Sequence, residues 1–121
     1  MMEVIDSNSK LGMAILSALG DKEMRRILDC AIDEAKSIPD IIKETSMPHA
    51  TAYRKVKWML EEKLMVVERI HITDDGKKFS IVRSTLKSVD VHYKGNELTI
   101  EIDQNIDPLK RTTEKFFSLT S

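Results

Sequence analysis

An α+β fold of the winged helix-turn-helix class, mainly α with a β-wing, is predicted from three observations on residues 37–83. A short helical segment opens near Pro39, a tight break falls at Ser46-Met47-Pro48, and a longer helical segment follows to about Glu62. Two β-branched runs then flank Asp74-Asp75-Gly76. Helix, turn, helix and hairpin in that order form a module that reads DNA with its second helix. A second β-hairpin and a C-terminal helix follow and are expected to serve dimerisation. The expected organisation is a domain over 1–87 and an extension over 88–121.

Residues 1–8 read as a loose lead-in. Ser9 or Ser7 caps a first helix with Leu11, Ala14, Ile15, Ala18 and Leu19 on one face, and Gly20 sits where a left-handed residue would close it. Met13 and Leu16 form a second apolar strip, which suits burial on two sides. Asp21 is a good N-cap for the next helix, whose core stripe is Met24, Ile27, Leu28, Ala31, Ile32 and Ala35. Pro39 fits the first helical position of the third helix, where its missing N–H is not needed. Ile38, Ile41 and Ile42 face inward. Met47 fills the apolar slot of the turn, and Pro48 starts the fourth helix.

The fourth helix, about 48–62, is the expected recognition helix. Ala52, Val56 and Met59 stand at i, i+4 and i+7 and point inward, with Leu64 continuing the line. His49, Ala50, Thr51, Tyr53, Arg54 and Lys57 therefore project the other way, and Lys55 is counted with them as a DNA contact. Small residues at 50 and 51 allow close approach to bases, and the Arg54 guanidinium can donate two hydrogen bonds to a guanine edge or clamp a phosphate. Trp58 is expected to pack against the wing or another helix.

The wing, about 66–83, is expected to turn on the two residues Asp75-Gly76. That register pairs Asp74 with Lys77, Ile72 with Phe79, Ile70 with Ile81 and Glu68 with Arg83, matching apolar with apolar and acid with base. Arg69, His71, Lys78 and Ser80 occupy the other face. Lys77, Lys78 and Arg69 are the expected contacts to phosphates or a minor groove. In the second hairpin the turn is Gly95-Asn96, so Tyr93 meets Leu98, Val91 meets Ile100, Val89 meets Ile102 and Lys94 meets Glu97. One face is wholly apolar and must be covered. The other carries Asp90, His92, Thr99 and Glu101; two carboxylates and a histidine have metal-binding chemistry, but no second His or Cys lies near, and they read as solvated. Pro108 opens a final helix with Leu109, Thr112, Thr113, Phe116 and Phe117 at helical spacing.

Composition bounds the function. The chain has 121 residues, 41% hydrophobic and 32% charged, with a net charge of −1. That suits one folded domain and argues against disorder. Residues 1–42 hold five Lys/Arg against eight Asp/Glu, residues 43–87 ten against six, and residues 88–121 four against six. The expected reader is thus basic between two acidic flanks, the local potential that phosphate binding needs. No apolar run is long enough to span a membrane, and the N-terminus lacks a signal core. With the single Cys30, this points to a cytoplasmic protein. No nucleophile-base constellation or Gly-rich phosphate loop is present, so neither an enzyme nor a cofactor is expected.

The run from Ala18 to Arg83 resembles the ArsR-like winged-helix regulators common in archaea. The resemblance is carried by SALGDKEMRRIL at 17–28, HATAYRKV at 49–56, MLEEKLM at 59–65 and DDGKKFSIVRS at 75–84. It implies a homodimeric regulator of transcription bound to double-stranded DNA, with the 49–57 helix in the major groove and the 74–78 wing beside it. The paired-Cys motif of metal-sensing members is absent, so metal-responsive release is not implied. The family usually has Gly where Lys63 stands; a left-handed Lys there costs roughly 1 kcal/mol unless the helix ends differently. The second hairpin reads as an added interface or effector element, its effector unidentified. The competing reading is a winged-helix protein-interaction module within a larger assembly.

Overall fold

A computed structural model of the chain describes residues 2–105; the expected helix from Pro108 lies outside them. The fold is α+β, with four helices and two three-stranded antiparallel sheets among the described residues. The elements are β1 Met2–Ile5, α1 Lys10–Leu19, α2 Lys22–Cys30, β2 Lys36–Ser37, α3 Ile38–Thr45, α4 His49–Glu61, β3 Met65–Ile72, β4 Lys78–Ser84, β5 Leu86–Lys94 and β6 Glu97–Gln104. One sheet runs β1-β6-β5 and the other β2-β4-β3.

Ser9 caps α1, its hydroxyl accepting from the Gly12 amide at 3.0 Å. Gly12 is buried, and a Cβ there would collide with the carbonyl oxygen of Asp6, so the β1–α1 turn needs glycine at this point. Gly20 is not left-handed: its φ is −77°, and the chain passes straight to Asp21, whose amide donates to the Ala18 carbonyl at 3.1 Å. Asp21 caps α2 through the Met24 amide at 3.0 Å. The helix stops at Cys30, short of the expected stripe, yet Ala31 and Ala35 remain buried. Tertiary donors claim the carbonyls that a longer helix would have used. Ala31 accepts from the Ser84 amide at 2.9 Å, and Ile32 and Asp33 accept from Arg83 at 3.0 and 2.9 Å.

Residues 2–5 are not a loose lead-in. They pair with β6, Ile5 opposite Ile100 and Glu3 opposite Ile102, and so cover one edge of the second hairpin. That pairing needs a strand a hundred residues away, which no local pattern reveals. Strand β2 is likewise defined by a distant partner; its two residues pair with Ile81 and Val82 of β4.

Ser37 caps α3 through the Asp40 amide at 3.1 Å, and Pro39 sits in its first turn. Ser46 then adopts φ 56°, a left-handed break that turns the chain into α4, and Met47 is buried in the turn. Ala52, Val56, Met59 and Leu64 are all fully buried, as their spacing requires. The exit from α4 is a Schellman motif: the Leu64 amide donates to Met59 O at 2.8 Å and the Lys63 amide to Leu60 O at 3.2 Å. Lys63 holds φ 66°, the conformation in which a side chain is strained. Lys63→Gly is therefore expected to stabilise the fold by roughly 1 kcal/mol, read as a higher urea midpoint with unchanged slope. An unchanged or lower midpoint would show that the lysine is unstrained.

Hairpin β5–β6 has the expected register throughout, from Lys94↔Glu97 to Val89↔Ile102, closed by left-handed Gly95 and Asn96. Hairpin β3–β4 does not. Its loop is three residues long: the Thr73 amide donates to Lys77 O at 2.8 Å and the Gly76 amide to Thr73 O at 2.9 Å, with Gly76 at φ 85°. The extra residue shifts the pairing by one, to Ile72↔Lys78, Ile70↔Ser80 and Arg69↔Ile81. A bulge between Val67 and Arg69 then shifts it again.

One core serves both sheets. Ile15, Ile27, Ile41, Val56, Met59, Leu64, Leu86, Ile100 and Ile102 belong to a single buried cluster. The boundary placed at 87/88 is thus no break in packing. Buried Asn105 reinforces the junction, donating to Ile32 O at 2.7 Å and Ser84 O at 3.0 Å.

Candidate nucleic-acid interface

Burial of one side of α4 leaves the other side in solvent. His49, Ala50, Tyr53, Arg54 and Lys57 are exposed and Thr51 is half-buried, so six of the expected readers share one accessible surface. Pro48 at the cap position offers no side-chain acceptor. The first-turn amides of α4 thus carry the partial positive charge of a helix N-terminus without a capping side chain. Trp58 and Leu60 are half-buried against the core, in line with a packing role.

Lys55 departs from expectation. Its side chain is buried and its ammonium donates to Asp21 Oδ2, with Glu23 at 3.6 Å. It ties α4 to the capped start of α2 and does not present its charge to a ligand. Position 55 borders the inward line of α4, and its acidic partners lie 34 and 32 residues earlier, out of reach of any local motif. Arg26 adds a second tie, donating to Thr45 O at 2.7 Å at the end of α3.

The Lys55 hydrogen bond is the chief reason that the Asp21 carboxyl is held below its ordinary value of 3.8, with the Met24 amide adding to it. A depressed carboxylate contributes stability above its unfolded pKa and loses it as pH falls through the folded one. The Asp21 contribution is therefore complete above about pH 4 to 5 and fades on further acidification. Asp21→Asn keeps an N-cap acceptor but removes the charge, so its melting curve should lie below the wild type's at pH 7 and approach it toward pH 3. A constant gap across that range would show that the charge is not responsible.

At the tip of β3–β4, Lys77 and Lys78 are exposed, as expected. The tip is preorganised: the Thr73 hydroxyl donates to Asp75 Oδ1 and accepts from the Lys77 amide at 3.0 Å. That hydroxyl also holds the Asp75 carboxyl below its ordinary value, so the tip keeps a negative charge beside its two lysines. Arg69 is exposed but carries an ion pair to Glu68 at 2.9 Å. The register shift regroups the rest. Arg69 and His71 share a face with Ile81 and Phe79, while Ile70 and Ile72 turn outward and are 59% and 60% exposed.

The expected Glu68–Arg83 pair does form, at 3.1 Å, although Arg83 is registered opposite Val66. Both side chains are 5% exposed, and the bulge carries Glu68 inward to reach the guanidinium. The sequence pattern marks Arg83 as a cross-strand partner, but not as the group that also binds two loop carbonyls.

Among the described residues no group of three or more His, Cys, Asp or Glu is placed to hold a metal ion, and no helix is long and apolar enough to cross a membrane. No family model, curated protein or solved structure matches the chain.

Proposed function

We propose that this chain is a winged helix-turn-helix protein that binds double-stranded DNA in a sequence-specific way and regulates transcription as a homodimer. In this reading α4 enters the major groove and hairpin β3–β4 is the wing. The observation that carries it is the division of α4: one side wholly buried, the other presenting Arg54, Lys57, Tyr53 and His49 beside small Ala50 and Thr51. Short side chains near the helix start let the backbone approach base edges, and a flanking guanidinium can read guanine or hold phosphate. The exposed lysines of the wing tip supply sequence-independent attraction. No enzyme chemistry is part of this proposal.

Selection of bound sites from random DNA tests it. The expected result is an enriched inverted repeat with half-sites roughly 34 Å apart, because two recognition helices of a dimer lie one turn apart. Arg54→Ala should then cost ~1–3 kcal/mol at the selected site if Arg54 reads a base, and an equal loss on random DNA would make it a phosphate contact. Failure to enrich any sequence would remove the specific-binding part of the proposal.

One observation favours a second reading, a protein-interaction module within a larger assembly. Ile70 and Ile72 form an outward apolar pair on the hairpin, a surface better suited to a protein partner than to phosphate. A chain without measurable DNA affinity at low salt would support that reading instead.

A further inference from the structure

Strand β5 is the outer strand of its sheet, and among the described residues nothing pairs with its far edge. The two-residue turn with left-handed Gly95 and Asn96 makes Lys94 and Glu97 a hydrogen-bonded pair. Counting back by twos, His92 and Asp90 also aim their backbone groups at β6. Tyr93, Val91 and Val89 aim theirs at the open edge. The strand also exposes apolar side chains, Val91 at 40% and Tyr93 at 70%, on the face opposite Asp90 and His92. From Ser88 to Lys94 it lacks the usual protections of an edge strand: there is no proline, no bulge, and a lysine only at the end.

We propose that two copies of this chain pair antiparallel along β5, with Val91 opposite Val91 of the second copy, to form one continuous six-stranded sheet. The register follows from complementarity. On the apolar face this alignment sets Val91 against Val91 and Tyr93 against Val89. On the polar face it sets His92 against Asp90, twice by symmetry, and Lys94 against Ser88. Because only alternate residues face the edge, the alternatives are slips that move the pairing by two residues. One sets Asp90 against Asp90, a repulsive pair. The other sets His92 against His92 and shortens the overlap. The proposal rests on the homodimer part of the proposed function and names its interface; it does not depend on DNA binding.

Sedimentation of the full chain over a concentration series tests it, with circular dichroism confirming that each variant is folded. Wild type should be a dimer. Val91→Lys, which places two ammonium groups at the symmetry axis, should raise the dimer dissociation constant by about 100-fold. His92→Asp should raise it by about 10-fold, by facing Asp90 of the second copy with a like charge. Adding Asp90→Lys to His92→Asp should bring it back to within a few-fold of wild type. If Val91→Lys dimerises as wild type does, β5 pairing is wrong while the homodimer reading stands. Loss with Val91→Lys but no recovery in the charge swap overturns the register. A wild-type chain that stays monomeric defeats the homodimer reading itself.

Discussion

Arg83→Ala is expected to destabilise the fold by about 3 kcal/mol, the lower end of what breaking a buried ion pair costs. The Arg83 guanidinium donates to Glu68 Oε1 at 3.1 Å, Ile32 O at 3.0 Å and Asp33 O at 2.9 Å, with both charged side chains almost wholly buried. Removing the cation leaves the buried Glu68 carboxylate with only the exposed Arg69 as its charge partner, and strips a donor from each of two carbonyls. Ile32 O keeps its bond from Asn105, so the loss falls mainly on Glu68 and Asp33. For a chain of this length the change should lower the melting temperature by on the order of 15 °C. Arg83→Lys should recover little, because one ammonium cannot serve three acceptors arranged around a planar fork. The double variant Arg83→Met with Glu68→Met should be more stable than Arg83→Ala alone, since it removes the buried carboxylate together with the guanidinium that compensates it. Denaturant unfolding of the three variants decides the matter; a loss below 1 kcal/mol for Arg83→Ala would mean that water replaces the guanidinium at no great cost.

The same residue shows where local reasoning stops. The partition of α4 was legible because three apolar residues at helical spacing admit only one inward face, and Ala52, Val56 and Met59 are all fully buried. Hairpin β5–β6 was legible because Gly95-Asn96 demands a two-residue turn and the flanking alternation admits one register. At Asp74-Asp75-Gly76 the dipeptide Asp-Gly fits a two-residue loop, but the triplet fits a three-residue loop with Gly76 left-handed equally well. The choice moves every pair by one. Pairing Ile70 with Ile81 and Ile72 with Phe79 looked favourable as a sum of contacts. The actual arrangement gives up those pairs, and the bulge at Glu68 delivers its carboxylate to Arg83. Lys55 and β1 fail for a related reason. Each is defined by a partner distant in sequence, Asp21 and β6, and a local pattern records what a residue is but not what it will meet.

Raising salt from 50 to 200 mM should weaken DNA binding by about 10⁴-fold. The ten cations of residues 43–87 overstate the available charge. Lys55 is spent on Asp21, Arg83 on Glu68 and the loop, and Arg69 is shared with Glu68. On the proposed reading surface this leaves Arg54 and Lys57 on α4 and Lys77 and Lys78 on the hairpin tip, all exposed. Four phosphate contacts per protomer make roughly eight per dimer, which sets a slope of about −7 in log affinity against log salt. Replacing Lys77 by Ala in both protomers should flatten that slope by about two units and weaken cognate and random DNA alike. Lys55→Met should leave the slope where it is, because its charge never faces the ligand, while lowering the melting temperature through loss of the α2–α4 tie. These two lysines thus separate the structural account from one based on charge counting. If Lys55→Met flattens the slope as much as Lys77→Ala, then α4 is oriented differently on DNA and the surface opposite Ala52, Val56 and Met59 is not the one that docks.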